Sequence, residues 1–247
     1  MLGYILLFTF LGSILSLIGG IILLFKEKLT LKISHLLISF AAGTLLGTAF
    51  FDLLPEASEE SGETNIFLWT LIGILFFFLL ERFIHWFHYH NENLGGKNIE
   101  PAVPLIILGD SVHNFIDGVV IAATFLVSIP LGIITTLAVA AHEIPQEMGD
   151  FAILLHKGID RKKVLLFNIL SALTAFFGAI LMFFLKDLIT GILPAILSLT
   201  AGFFIYIASS DLIPEIHHEK RKWFALYEII LLLGGVLTVW VLVSVLE

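Results

Sequence analysis

Two short polar segments interrupt long apolar runs of the chain, and both contain several residues of types that bind metal ions. Residues 109–118 read Gly-Asp-Ser-Val-His-Asn-Phe-Ile-Asp-Gly, and residues 142–150 read His-Glu-Ile-Pro-Gln-Glu-Met-Gly-Asp. At 3.6 residues per helical turn, the polar groups of each segment fall into stripes, so two such helices can face each other. The first stripe holds Asp110, His113, Asn114 and Asp117; in the second segment His142 aligns with Gln146, and Glu143 aligns with Glu147 and Asp150. Imidazole, carboxylate and amide groups together are typical of a site for a divalent transition metal.

The composition identifies the solvent in which these segments must function. Hydrophobic residues make up 58% of the 247 residues and charged residues 14%, and the mean hydropathy is +1.03. Such a chain cannot form a water-soluble surface, so we expect one membrane domain. The absence of cysteine excludes disulfides and thiolate ligands. No basic patch suits a nucleic acid, and we exclude that partner.

Apolar runs about as long as a bilayer is thick predict an all-α integral membrane protein with eight transmembrane helices. The predicted spans are 3–25, 33–54, 66–87, 102–126, 130–155, 164–185, 190–213 and 223–246. The first run lacks a basic n-region and is too long for the apolar part of a signal peptide, so we expect a retained span.

The basic residues predict the orientation of these spans. Twelve of the 13 lysines and arginines fall in the loops on one side of the predicted membrane, and only Lys186 falls on the other. Because basic residues accumulate in short cytoplasmic loops, both termini should face outside. We expect the cell (inner) membrane of a prokaryote as the location.

An internal repeat relates the two halves of the chain. Asp52-Leu-Leu-Pro-Glu56 at the end of predicted helix 2 matches Asp211-Leu-Ile-Pro-Glu215 at the end of helix 7, and small residues before each also match. Five helices separate the copies, so they cross the membrane in opposite senses, which is typical of inverted repeats in transporters. The predicted division is repeat 1 over about 1–90, central helices over about 101–157, and repeat 2 over about 160–247. The alternative is that an Asp-Pro pair merely ends each helix.

In the inverted arrangement Asp52 lies at the outer mouth and Asp211 at the inner mouth, where each can attract cations. The expected pathway consists of these two residues together with Asp110 and Asp150.

The polar segments lie where charge is most expensive. The midpoint of predicted helix 4 falls at Asn114 and that of helix 5 beside His142. Three unpaired carboxylates near the bilayer centre, Asp117, Glu143 and Glu147, cost roughly 8–10 kcal/mol together at about 2.5–3.5 each. Neither helix contains a lysine or arginine, so protons or a metal ion must compensate them. A lone histidine usually makes an interhelical hydrogen bond, but this set of His, Asn and carboxylates favours a metal.

At these residues the chain resembles the ZIP (Zrt-, Irt-like protein) family of divalent-metal transporters. Helix 4 resembles the motif His-Asn-x-x-[Asp/Glu]-Gly through His113, Asn114, Asp117 and Gly118. Helix 5 resembles His-Glu-x-Pro-[His/Gln]-Glu-x-Gly-Asp through His142, Glu143, Pro145, Gln146, Glu147, Gly149 and Asp150. The eight spans, the outside termini and the inverted repeats extend the resemblance over essentially the whole chain.

The resemblance implies a binuclear site. One ion would be held by His113, Asp117, His142 and Gln146, and the other by Asn114, Asp117, Glu143 and Gln146, with Asp117 as the bridge. It also implies a homodimer and a helix bundle that moves past a scaffold. Gln146 departs from the His or Glu of many relatives, and a neutral amide there should weaken binding or alter the metal preference.

We therefore expect a secondary or facilitative transporter that moves zinc, or Fe²⁺, Mn²⁺ or Cd²⁺, toward the cytoplasm, with the metal and the membrane lipid as its partners. No phosphate-binding loop and no prosthetic group are indicated, and we do not expect an enzyme. One alternative is an intramembrane zinc hydrolase that uses His142 and Glu143, although it would need histidine at position 146. Another is a membrane sensor that binds metal without moving it.

Overall fold

A computed structural model describes residues 1–59, 61–92, 102–156, 158–217 and 222–246, and these residues are almost entirely helical. The α-helices are α1 Leu2–Thr9, α2 Leu17–Thr48, α3 Leu54–Glu59, α4 Ile66–Glu92, α5 Ala102–Val127, α6 Ile129–His156, α7 Arg161–Ala172, α8 Thr174–Ile189, α9 Leu193–Tyr206, α10 Ile213–His217 and α11 Lys222–Leu246. Three π-helices, Phe10–Ile14, Ala49–Leu53 and Ile207–Leu212, and the 3₁₀ turn Thr190–Ile192 connect some of them. The predicted all-α class is confirmed.

Seven segments of the described residues are long and apolar enough to cross a membrane. They are Leu2–Ile22, Leu36–Glu59, Ile66–Phe83, Ile106–Val127, Arg161–Leu188, Leu193–Ile216 and Phe224–Leu246. They correspond to seven of the eight predicted spans. The remaining one, α6, has 28 residues and is long enough, but its polar residues make it less apolar. The count of eight therefore stays a prediction.

Two predicted boundaries differ from the structure. The sequence placed a break between residues 25 and 33, whereas the backbone is helical throughout Leu17–Thr48. The sequence also predicted one helix over 164–185, whereas α7 and α8 meet at Leu173. There the hydroxyls of Ser171 and Thr174 donate to the carbonyls of Asn168 and Ser171, and such side-chain bonds compete with the helical ladder.

The basic residues behind the predicted orientation fall mostly outside the described side chains. These are Lys26, Lys28, Lys32, Lys97, Lys157, Lys220, Arg221 and Lys222. The sidedness of the protein in the membrane therefore stays a prediction.

The segments of the predicted repeat have matching local structure. Asp52 lies in the π-helix Ala49–Leu53 and Asp211 in the π-helix Ile207–Leu212. Each π-helix lies just before a proline, Pro55 or Pro214. Because proline lacks an N–H and its ring crowds the preceding turn, a widened turn accommodates it without ending the helix.

These two segments run in opposite directions. The end of the first segment, Ala49–Leu53 with α3, contacts α9, which begins the second segment. Helix α2, which begins the first segment, contacts Ile207–Leu212 and α10 at the end of the second. The start of one segment thus lies beside the end of the other, and the inverted repeat itself stays a prediction.

Glycines bring helix backbones together at corresponding places in the bundle. A Cβ at Gly43 would lie 2.0 Å from the Leu232 carbonyl oxygen, and a Cβ at Gly235 would lie 2.3 Å from that of Phe40. These contacts join α2 to α11. A Cβ at Gly202 would lie 2.3 Å from the Thr70 carbonyl oxygen, which joins α9 to α4. Small residues at such contacts allow close packing of membrane helices.

Two adjacent glycines of α11 provide a test of this packing. Gly235→Ala should lower the free energy of unfolding by about 1–3 kcal/mol, because the new methyl group overpacks against backbone that cannot rotate away. Gly234→Ala is the control, since a Cβ there meets nothing within 4 Å, and it should leave stability unchanged or slightly higher. Melting temperatures in detergent measure both. Equal melting temperatures for the two variants would contradict the close approach of α2 and α11.

Candidate metal site between two antiparallel helices

A helical hairpin places the two polar segments at the same level of the bundle. Helices α5 and α6 are separated only by Ser128, whose Oγ accepts a hydrogen bond from the Leu131 backbone N–H at 3.1 Å and caps α6. The two helices are therefore antiparallel neighbours. Asp117 lies 11 residues before Ser128 and His142 lies 14 residues after it, so these side chains meet.

The hairpin brings four side chains together as one group, which we call the central group: His113, Asp117, His142 and Glu143. Their possible ligand atoms all lie within 4.8 Å of one another. His113 Nε2 lies 3.1 Å from His142 Nε2 and 3.5 Å from Glu143 Oε1, and His142 Nε2 lies 3.4 Å from Asp117 Oδ2. A tetrahedral zinc with bonds of about 2.0 Å separates its ligand atoms by roughly 3.3 Å. The distances thus leave room for one metal ion between these side chains.

The central group is buried and acidic. The side chains of Asp117, His142 and Glu143 are 4%, 1% and 0% exposed. Within the described part of the chain, Asp117 Oδ2 and both carboxylate oxygens of Glu143 have no hydrogen-bond partner. Buried polar oxygens are nearly always hydrogen-bonded or coordinate a metal. These oxygens are therefore available for a cation.

His142 is oriented toward the group by its own helix. Its Nδ1 lies 3.1 Å from the Ala138 carbonyl oxygen. Because a carbonyl oxygen only accepts, Nδ1 carries the proton, and the lone pair on Nε2 is directed at the central group. A backbone carbonyl on the second ring nitrogen is the usual support of a metal-binding histidine.

Asp110 and Asn114, which the sequence placed on one stripe of α5 with His113 and Asp117, have hydrogen-bond partners of their own. Asn114 Oδ1 accepts a hydrogen bond from Ser13 at 2.8 Å, and Asn114 Nδ2 donates to Asp110 Oδ1 at 2.9 Å. Consecutive residues such as His113 and Asn114 point about 100° apart on a helix, whereas Asp110 and Asp117, seven residues apart, point in nearly the same direction. Asp110 lines the same cavity as His113.

Two serines that the sequence analysis did not assign to the site form hydrogen bonds with Asp110 and Asn114. Ser171 of α7 donates a hydrogen bond to Asp110 Oδ2, and Ser13 also donates to the Ala172 carbonyl oxygen at 3.0 Å. Both serines lie in the middle of apolar segments, which was the only signal available in the sequence. Together they link the first span, α5 and α7.

The remaining polar residues of α6 lie outside the central group. Gln146 and Asp150 line a cavity. Glu147 is completely buried, and neither of its carboxylate oxygens has a hydrogen-bond partner among the described residues. Glu143, which the resemblance implied for a second ion, lies in the central group with His113, and its part in a second ion position stays a prediction.

A cavity of about 660 Å³ reaches the central group from one end of the bundle. Its wall includes His113 but none of the other three members. The polar residues in the wall are Glu81, Asp110, His113, Gln146, Asp150, Asp211 and Glu215. Asp211 was predicted at a mouth of the pathway and lies in this wall, whereas Asp52 is 1% exposed and lies elsewhere.

Comparison with known proteins assigns the family. The model of the ZIP zinc transporter family matches residues 2–103 and 92–243. Zinc transporter ZIP13 of Pongo abelii is 34% identical over 219 residues, which cover 81% of this chain and 64% of the relative. Zinc transporter ZIP13 of Gallus gallus is 32% identical over 272 aligned positions, which cover 84% of this chain and 73% of the relative.

A further relative, zinc transporter ZIP6 of Homo sapiens, is 37% identical over 134 residues, which are 54% of this chain and only 18% of that protein. The chain thus spans less than two thirds of the length of some relatives. They are named as zinc transporters and not as enzymes, which does not favour the hydrolase alternative. The match to the family model and the apolar helices together make this chain an integral membrane protein of the ZIP zinc transporter family.

Proposed function

We propose that the protein moves divalent transition-metal ions, zinc foremost, across the membrane through the central group. The observation that carries this proposal is the meeting of two imidazoles and two carboxylates within 4.8 Å, with carboxylate oxygens that lack hydrogen-bond partners among the described residues. An uncompensated carboxylate at mid-membrane costs about 2.5–3.5 kcal/mol. Binding of a dication removes this cost, and the cost returns when the ion leaves. The central group therefore favours binding an ion that it can also release, as transport requires.

The central group has a route to one side of the membrane. The cavity that reaches His113 is lined by Asp150 of α6 and by Asp211 and Glu215 near α10. These carboxylates raise the local concentration of cations. In the orientation predicted from the basic residues the cavity lies on the cytoplasmic side, and the transported metal ions would leave the protein there. A dication that moves inward through a potential of about 100 mV gains roughly 4.6 kcal/mol, so uptake needs no ATP.

A second ion position remains part of the proposal. It would use Asn114, Asp117, Glu143 and Gln146, as the family resemblance implies, with Glu147 nearby. Asn114 would first have to release its hydrogen bond from Ser13. The second position should therefore bind zinc more weakly than the central group.

The architecture proposed for transport has three parts. These are repeat 1 over about 1–90, the central helices over about 101–157, with α6 as the eighth span, and repeat 2 over about 160–247. The matching π-helices at Ala49–Leu53 and Ile207–Leu212 support this division. We also propose a homodimer with both termini outside. The relatives named above are vertebrate proteins, so the prokaryotic membrane stays a prediction that they do not support.

Metal uptake by proteoliposomes tests the proposal. Asp117→Asn and His142→Ala should each reduce zinc uptake at least tenfold, which corresponds to only about 1.4 kcal/mol. The first removes a negative charge from the central group, and the second removes an imidazole ligand. The matched control is Asp187→Asn at the exposed end of α8, which should transport at the rate of the unmodified protein. Uptake unchanged in Asp117→Asn would refute the assignment of the site. Zinc binding without uptake by the unmodified protein would favour the sensor, and peptide cleavage without uptake would favour the hydrolase.

Thermal stability provides a test that does not require transport. Zinc at 100 times its dissociation constant should stabilise the protein by about 2.7 kcal/mol, seen as a higher melting temperature. Glu143→Gln should reduce this zinc-dependent gain, because it removes a charged ligand. Without zinc the same variant should melt at the same temperature or higher, because a neutral amide needs no counter-charge.

The control for the thermal measurement is Glu59→Gln, which changes an exposed residue and should keep the full zinc-dependent gain. A zinc response that Glu143→Gln leaves intact would place the bound ion elsewhere.

A further inference from the structure

One side chain controls the contact between the central group and the cavity. The His113 side chain is 12% exposed, whereas that of Asp117 is 4% exposed, and those of His142 and Glu143 are 1% and 0% exposed. Only His113 belongs to the cavity wall. Within the described residues, an ion that leaves the central group for the cavity therefore passes His113.

The two histidines are held in different ways. His142 is fixed through Nδ1 by the Ala138 carbonyl oxygen of its own helix. The described residues provide no such carbonyl for His113, whose ring instead meets Phe77 of α4, with the centroids 5.6 Å apart and the planes at 89°. This edge-to-face geometry is a favourable arrangement of aromatic rings. The orientation of His113 thus depends on a residue of another helix.

Phe77 is itself firmly supported. It is 6% exposed, and its ring packs on Phe203 and Tyr206 with centroid distances of 5.5 and 5.7 Å. The Tyr206 hydroxyl donates a hydrogen bond of 2.5 Å to Glu81 Oε2, one turn further along α4. Phe77 also lines the cavity beside His113. It therefore forms a fixed aromatic wall where the central group opens.

We propose that Phe77 is a positioning residue for His113 that sets the rate at which metal leaves the central group for the cavity. This inference rests on the proposed transport function. With the Phe77 ring present, His113 stays directed at His142 and keeps its bond to the ion. Without it, His113 can rotate into the cavity, and the ion loses one ligand on the side from which it departs.

Zinc release from the purified full-length protein tests this role. The protein in detergent is loaded with zinc and mixed rapidly with a chromophoric chelator. Phe77→Ala should release zinc about three- to tenfold faster, in line with the strength of an edge-to-face ring pair, and should bind it correspondingly more weakly. Phe77→Tyr keeps the ring and should restore release to within about twofold of the unmodified protein. Phe77→Val is a second ringless variant that keeps apolar contacts, and it should also release faster.

The matched control is Phe76→Ala, one residue away. Phe76 also packs on Phe203, at 5.8 Å, but it is 48% exposed and does not line the cavity, so its release rate should stay within about twofold. Unchanged release in both Phe77→Ala and Phe77→Val, or equal acceleration in Phe76→Ala, would overturn the role of Phe77. Zinc affinity that is insensitive to His113→Ala would instead overturn the proposed function itself.

Discussion

Acidic groups buried without a counter-charge are the constraint on which this structure depends. Asp117 and Glu143 lie in the interior of an apolar bundle, and neither α5 nor α6 contains a lysine or arginine to neutralise them. A bound dication or protons must do so. The two imidazoles beside them favour the dication, since imidazole is a common ligand of divalent transition metals and His142 directs Nε2 at the group while its Nδ1 faces the Ala138 carbonyl oxygen.

The rest of the fold serves to hold two helices close enough for this group to form. The hairpin through Ser128 sets the level of the polar segments, and Gly118, where a Cβ would lie 1.8 Å from the Ala175 carbonyl oxygen, lets α5 press against α8. Hydrogen bonds from Ser13 and Ser171 hold α5 through Asn114 and Asp110. The π-helices before Pro55 and Pro214 contain Asp52 and Asp211 and keep the flanking helices continuous at these two residues.

Much of this could be predicted from the sequence, because hydropathy and helical periodicity are local properties. The spans and the four members of the central group follow from apolar runs and from residue spacing. Which neighbour each polar side chain meets depends on packing, and so the hydrogen bonds that join Asn114 to Ser13 and Asp110 to Ser171 could not be predicted. Ser13, Ser171 and Phe77 were missed for the same reason, since a serine or phenylalanine in an apolar helix has no distinguishing pattern in a single sequence.

Diffraction data collected on both sides of the zinc absorption edge, from crystals grown with zinc, test the central claim most directly. The account predicts an anomalous peak with His113, Asp117, His142 and Glu143 around it, at about 2.0–2.2 Å from imidazole nitrogen and carboxylate oxygen. An anomalous peak found only at other residues would contradict it. So would the absence of a peak between these four side chains, with the side chains hydrogen-bonded to one another, in a protein that transports zinc.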